Sequence, residues 1–472
     1  MCGLFGIRAP ERDVARVAYF GLFALQHRGQ ESAGIAVSDH DRLTVVRDMG
    51  LVAQVFSEQT LRGLDGQLAI GHTRYSTTGS TRWANAQPLV HHGRARTIAL
   101  GHNGNLTNAE ALREELEADG VRLGSSSDSE VIAALIANDP SPLAEAVAHT
   151  LERVDGATTV VALTEGKLVG FRDPNGFRPL VLGSLGDDWV LASESCALDL
   201  VGAEPVRELR PGELVVVDHD VESQQVAHPS ESTCLFEFIY LARPDSRLKD
   251  VEVHGARVRM GETLAAEAPA EADLVMAVPD SGTPAAIGFA RASGIPFNEG
   301  LIKNRYVGRT FIQPDQGLRE QGIKLKFNPL DEVDGKRVVV VDDSIVRGTT
   351  MRQLVTMLFD GGATEVHVRI SSPPIVSPCF YGIDFGDADQ LAASDRTVEE
   401  TRIEIGATSL AHLSLDGVQA ATRLPSNEFC RACFTGKYPT RVPTGRMLAK
   451  LRFEPAAAEA TGRAGKAGTI SV

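Results

Sequence analysis

Val338-Val339-Val340-Val341-Asp342-Asp343-Ser344-Ile345-Val346-Arg347-Gly348-Thr349-Thr350 decides how the second half of this chain must fold. Four valines without polar alternation describe a strand buried on both faces, the habit of a parallel sheet. Two adjacent acids and a Ser/Gly/Thr turn follow, and then a predicted helix over 349–360 that Gly361-Gly362 stops. The apolar runs at 274–278 and 366–370 repeat the pattern on either side, so the stretch is the middle of a βαβ unit. A turn of this composition at a helix start can bind phosphate through backbone N–H groups, hydroxyls and the positive helix end. Asp342 and Asp343 cannot both be buried cheaply as like charges, which points to a divalent ion or sugar hydroxyls as partners. The bland alternative is a strand ending in solvated acids. The stretch is not the phosphate loop that ends in Gly-Lys-Ser/Thr.

Working outward, the first half has a different rhythm. Short β-branched runs at 43–47, 68–70, 97–100 and 158–163 alternate with turns and read as strands. Asn108 is placed to cap a helix that carries Leu112 and Leu116 and closes at Gly120, and Asp128 opens another with Val131, Ile132, Leu135 and Ile136 on one face. Strand groups interrupted by helices fit a layered αββα sandwich, giving an α+β half followed by an α/β parallel-sheet half. The polar His228-Pro229-Ser230-Glu231-Ser232 stretch marks the expected boundary, with domains at 2–231 and 232–453. Residues 454–472, rich in Ala and Gly, are expected to be a disordered tail.

Composition narrows the function classes. A chain of 472 residues is longer than one core usually supports. Acids outnumber bases 62 to 47, for a net charge of −15, so nonspecific binding to nucleic acid or an anionic membrane is not expected. The start lacks the basic and apolar regions of a secretory signal, and no apolar run approaches the roughly 20 residues of a membrane span. A cytoplasmic protein with six reduced cysteines is the expectation.

Cys2 directly follows Met1, so one processing cut would create an amino-terminal thiol that carries a nucleophile and a base at once. Alone, Met-Cys would be a stray buried thiol. It opens Cys2-Gly3-Leu4-Phe5-Gly6-Ile7, and Gln26-His27-Arg28-Gly29-Gln30-Glu31-Ser32-Ala33-Gly34, Gly71-His72-Thr73-Arg74-Tyr75-Ser76-Thr77, Gly101-His102-Asn103-Gly104-Asn105 and Ser127-Asp128-Ser129-Glu130 follow in order. Together they resemble the class II glutamine amidotransferases, which hydrolyse the side-chain amide of glutamine. The resemblance implies Cys2 as nucleophile and the Asn103 side chain with the Gly104 N–H as oxyanion hole. Arg74 suits the substrate carboxylate and Asp128 its ammonium. Singly, each would be a surface ion pair or a turn residue. His27, His72 and His102 are read as structural hydrogen-bonding residues. The stretches at 173–180 and 193–195 also resemble the family and are read as turn and packing elements.

The second half resembles the type I phosphoribosyltransferases. Asp342, Asp343, Ser344, Arg347, Gly348, Thr349 and Thr350 match their phosphoribosyl pyrophosphate motif. Pro279-Asp280-Ser281-Gly282-Thr283 fits a pyrophosphate or metal loop, and the stretch from Lys303 through Tyr306 to Phe311 looks like the family's flexible loop. Mg²⁺ is implied at Ser281, Asp342 and Asp343, and pyrophosphate contacts at Lys303 and Tyr306. Lys324 and Lys326 could add charge. A glutaminase fused to such a domain resembles the amidophosphoribosyltransferase family. That resemblance implies ammonia transfer from glutamine to phosphoribosyl pyrophosphate through a sealed passage. It also implies feedback by purine nucleotides and a homotetramer. A different glutamine-dependent synthase would need a sugar isomerase or an ATP pyrophosphatase domain; a purine-sensing regulator would not need Cys2 with its oxyanion motif.

Four more cysteines remain. Cys430-Arg431-Ala432-Cys433 alone could bind zinc, form a redox couple or mean nothing. With Cys234 and Cys379 it matches the four ligands of the iron–sulfur branch of that family, which implies a [4Fe-4S] cluster. Zinc and unliganded thiols stay open. Cys196 falls outside the set and reads as a core thiol. Relatives with a cluster often carry a short propeptide; here either removal of Met1 suffices or a leader precedes it.

Overall fold

The computed structural model describes residues 1–39, 42–76, 79–304, 325–385, 388–442 and 470–471. Two antiparallel sheets stack face to face in the first half. One runs in the order β11 (Glu204–Glu208), β9 (Val181–Leu185), β10 (Asp188–Ala192), β1 (Gly3–Arg8), β4 (Leu68–Arg74), β2 (Ser32–Asp39), β3 (Arg42–Met49). The other runs β13 (Val221–Gln225), β12 (Glu213–Val217), β8 (Lys167–Arg172), β7 (Gly156–Thr164), β6 (Thr97–Leu106), β5 (Leu89–His92). Leu4, Ile70, Ala99, Val161 and Leu191 fill the space between them. The outer face of the first sheet is covered by the helices Val14–Ala24 and Ser195–Val201, that of the second by Ala109–Ala118, Asp128–Asn138 and Leu143–Arg153. This is the expected αββα sandwich.

The local readings hold with instructive differences. Leu112 and Leu116 are buried, but Asn108 makes no cap bond. Its side chain instead donates to the Arg153 carbonyl at 2.8 Å and accepts from the Asp155 N–H at 2.9 Å, tying two helix ends together. The helix Asp128–Asn138 is buried from Asp128 to Ala137, not on one face, because it lies between the sheet and its helical neighbours.

In the second half the strands Leu274–Ala277, Arg337–Asp342, Glu365–Ile370 and Ser409–His412 form a parallel sheet in that order. Its alternate residues feed two cores: Val339 and Val341 pack with Ala285 and Phe289 on one face, Val338 and Val340 with Leu354 and Val355 on the other. The predicted helix is Thr349–Asp360. Among the described residues, no helix is long and apolar enough to cross a membrane. Most of the Ala/Gly-rich tail lies outside the described residues. At its end, however, Ile470 and Ser471 pair with Val45 and Thr44 and extend the first sheet beyond β3, which the expectation of disorder missed.

Candidate active sites

Strands β1, β4 and β6 deliver the first site. Cys2 precedes β1 by one residue, Arg74 ends β4, and Asn103 and Gly104 lie in β6. The Cys2 N–H donates to Asn103 Oδ1 at 3.0 Å. Asn103 is fully buried, and its Nδ2 has no hydrogen-bond partner. A buried amide donor left open beside a thiol is a costly arrangement unless something else accepts from it. Gly104 must be glycine: a Cβ there would stand 1.9 Å from the Ala157 carbonyl oxygen. Cys2, Arg74, Gly104 and Asp128 line one narrow cleft together with Tyr75, so four of the five sequence-derived residues line it and the fifth, buried Asn103, bonds the Cys2 N–H beside it.

Buried Arg74 donates to the Ser80 carbonyl at 3.1 Å and lies 3.7 Å from Glu31 Oε2. Asp128 opens its helix, where the positive end favours an acid, and accepts from the Leu106 N–H at 2.9 Å. Gln87, Ser127 and Ser129 also line the cleft; the two serines were read only as part of the 127–130 stretch, with no role of their own, and Gln87 was not read at all. Gln87 holds β6 in place by accepting from the His102 N–H at 2.8 Å and donating to Ser129 Oγ at 2.9 Å. An isolated Gln before a proline carried no signal. The histidines are structural, as expected: His72 meets the His102 carbonyl at 3.1 Å, and burial drives its pKa down to about 3. Cys196 is a core thiol, pushed up to about 12 by burial.

Met1 is joined to Cys2 here, so the Cys2 nitrogen is an amide. The Met1 amine donates to the Tyr75 carbonyl at 3.2 Å, and burial lowers its pKa to about 5. Its sulfur rests against a buried ion cluster that the sequence reading missed. Arg28 pairs with Glu194 and, at 2.8 Å, with Glu237; Arg178 pairs with Glu237 at 3.1 Å. Arg28 also donates to the Cys2 carbonyl at 3.1 Å. Arg178 and Glu194 are therefore more than the turn and packing elements expected. A conspicuous Arg and Glu inside two family-like stretches was the available clue.

The second site forms at the carboxyl ends of the parallel strands. Asp342 ends its strand and Asp343 is buried just beyond, where Ser344 Oγ donates to its carboxylate at 2.6 Å and the Ser281 hydroxyl bonds it too. Gly282 lets the 279–283 loop lie on the strand end; a Cβ would meet the Val341 carbonyl at 2.4 Å. Gly348 has φ +76° and caps the helix Thr349–Asp360, leaving Arg347, Thr349 and Thr350 exposed at its start. Lys303 pairs with Asp280 at 2.5 Å. Tyr306, the rest of the loop to Phe311, and Lys324 lie outside the described residues.

The four remaining cysteines gather at one place. Cys234 and Cys430 are partners in a parallel two-strand pairing; the Val376 and Ser377 N–H groups donate to the Cys433 carbonyl at 2.9 and 3.1 Å, and the Tyr381 N–H donates to Cys379 Sγ at 3.4 Å. Burial pushes Cys234 up to about 11 and Cys430 and Cys433 higher, and neighbouring thiolates of the set add to this. Among the described residues no group of three or more His, Cys, Asp or Glu side chains is set to hold a metal ion. The arrangement of these cysteines therefore supports neither the iron–sulfur cluster nor the zinc alternative expected from the sequence, and the Asp342–Asp343 pair is no finished cage either.

Comparison with known proteins matches both halves of the chain to known domain families. Residues 72–200 match the glutamine amidotransferase domain family and residues 252–371 the phosphoribosyl transferase domain family. Amidophosphoribosyltransferase of Mycobacterium tuberculosis is 52% identical over 468 residues, covering 96% of this chain and 89% of that protein. The Synechococcus elongatus enzyme of that name is 53% identical, with coverages of 96% and 94%. Among solved structures, the glutamine phosphoribosylpyrophosphate amidotransferase of Bacillus subtilis complexed with ADP and GMP superposes with a TM-score of 0.88 at 48% identity, over 94% of this chain and 98% of that one.

Proposed function

The chain belongs to the amidophosphoribosyltransferases, glutamine-dependent enzymes of purine biosynthesis, and from that premise we propose how its residues divide the work. Residues 2–231 form the glutaminase, and 232–453 the phosphoribosyl domain with its cysteine-bearing segment. Once Met1 is removed, Cys2 Sγ attacks the amide carbon of glutamine, and the freed α-amine relays its proton to the leaving ammonia. Asn103 Nδ2 and the Gly104 N–H receive the oxyanion, while Arg74 and Asp128 hold the substrate carboxylate and ammonium. Water then cleaves the thioester to glutamate. The observation that carries this reading is the unpartnered Asn103 nitrogen beside Cys2.

In the second site Ser344, Arg347, Gly348, Thr349 and Thr350 surround the 5-phosphate, Asp342 and Asp343 orient the ribose, and Lys303 with Tyr306 covers the pyrophosphate. Ammonia displaces pyrophosphate from C1 to give 5-phosphoribosylamine. Ser281, Asp342 and Asp343 would hold Mg²⁺, whose chemistry is to neutralise the departing pyrophosphate; it ordinarily takes one or two carboxylates and completes its shell with phosphates and water. With amide-¹⁵N glutamine and phosphoribosyl pyrophosphate, the label should appear in phosphoribosylamine in step with glutamate release. Glutamate without labelled amine would refute the transfer.

We propose that Cys234, Cys379, Cys430 and Cys433 would hold a [4Fe-4S] cluster, a reading that rests on the match of their positions to the four ligands of the iron–sulfur branch of the family. Its chemistry would be to offset the four thiolates, three of them buried, and to tie the carboxyl-terminal segment to the body. Anaerobically prepared protein should contain about four iron and four sulfide per chain by the cluster formula; zinc without iron would reject the assignment. Purine nucleotide feedback, a homotetramer and a cytoplasmic setting complete the reading, the first supported by the ADP and GMP in the Bacillus subtilis relative.

A further inference from the structure

We propose that Gly382, in the cysteine-bearing loop of the second domain, is a positioning residue for glutamine hydrolysis because it sets the backbone of Gly104. A Cβ on Gly382 would stand 3.1 Å from both the carbonyl carbon and oxygen of Gly104 and 3.3 Å from its Cα. Gly104 cannot retreat: its own Cα faces the Ala157 carbonyl so closely that a Cβ there would lie 1.9 Å from the oxygen and 2.7 Å from His102 Nε2. The strand is therefore held from two sides, by β7 and by a loop some 280 residues away in sequence.

That loop is itself fixed. Asn105, next to Gly104, donates through Nδ2 to the Phe380 carbonyl at 3.1 Å. Arg178 donates to the Tyr381 carbonyl at 2.7 Å, and the Tyr381 ring stacks on Phe177 with centroids 4.1 Å apart. Gly382 takes φ +101°, which a residue with a Cβ adopts only under strain. An alanine there must shift something, and the nearest thing is the backbone that carries the oxyanion donor. Losing one such donor costs roughly a hundred- to a thousandfold in kcat, so a displaced one should cost about tenfold.

This inference rests on the reading of Gly104 as an oxyanion donor, and the test separates the two. Gly382→Ala should lower kcat for glutamine hydrolysis about tenfold while leaving the KM for glutamine, and synthesis from added ammonium, within about twofold of wild type. An unchanged kcat, or an equal loss with both nitrogen donors, overturns it. Asn103→Ala tests the underlying reading: if that variant hydrolyses glutamine normally, the oxyanion assignment fails, whatever Gly382→Ala does. Should Gly382→Ala fail to fold, Asn105→Ala cuts the tie to Phe380 without adding bulk and must show the same split between donors, at about threefold; no split overturns the proposal.

Discussion

Burial raises the pKa of Asp342 and Asp343 above the ordinary 3.8, and for Asp342 the charge of Asp343 adds to the effect. A carboxyl whose folded pKa is raised opposes folding when ionised. The penalty is absent below the unfolded value of 3.8, grows as pH rises towards the raised folded value and is complete above it. Asp343→Asn should therefore leave the ligand-free protein as stable as wild type at pH 7, or more so, with the difference shrinking as pH falls towards 4. The same change should lower synthesis from either nitrogen source by about a hundredfold or more, spare basal glutaminase and remove stabilisation by Mg²⁺ with phosphoribosyl pyrophosphate. A variant that melts earlier yet still makes product from ammonium would contradict this. At this scale Cys2, Arg74, Asn103, Gly104 and Asp128 were legible because they sit in ordered family-like stretches. Gln87 was not, since its role is to join β6 to Ser129 through side-chain hydrogen bonds that no local pattern records.

Two elements show where pattern reading works and where it stops. Thr349–Asp360 was readable to the residue because glycines bound it and its apolar face meets one sheet. The turn Glu237–Leu241 was not, because Glu237 stands among apolar residues and its partners come from elsewhere in the chain. It is a π-type turn, closed by the Ala242 N–H on the Glu237 carbonyl at 3.1 Å and braced by Arg257, which donates to the Phe238 and Ala242 carbonyls, each at 2.8 Å. Two buried arginines, Arg28 and Arg178, are balanced by Glu194 and Glu237. Glu237→Gln removes one acid and leaves a buried positive charge, a change that costs about 3 kcal/mol in comparable pairs. Its thermal midpoint should fall by several degrees, with glutaminase more impaired than ammonia-dependent synthesis, since Arg28 also holds the Cys2 carbonyl. An unaltered midpoint would show that the cluster contributes little.

For the whole molecule, both architectures followed from strand patterning, whereas the contact between them did not. The cysteine-bearing loop lies on Gly104, Arg178 reaches the Tyr381 carbonyl, and Glu194 accepts from Arg243 and Ser246 at 2.8 and 2.6 Å. Such contacts join residues from about 50 to more than 200 positions apart, and no local periodicity records them. The halves are nonetheless chemically separable, because nitrogen is released at one site and used at the other. Cys2→Ala, assayed with glutamine and then with ammonium at raised pH, tests that division most directly. The account predicts loss of glutamine-dependent synthesis by several orders of magnitude, with ammonia-dependent synthesis kept within about twofold. Near-normal use of glutamine by this variant would contradict the amino-terminal nucleophile, and a folded variant inactive with both donors would contradict the separation of the two sites.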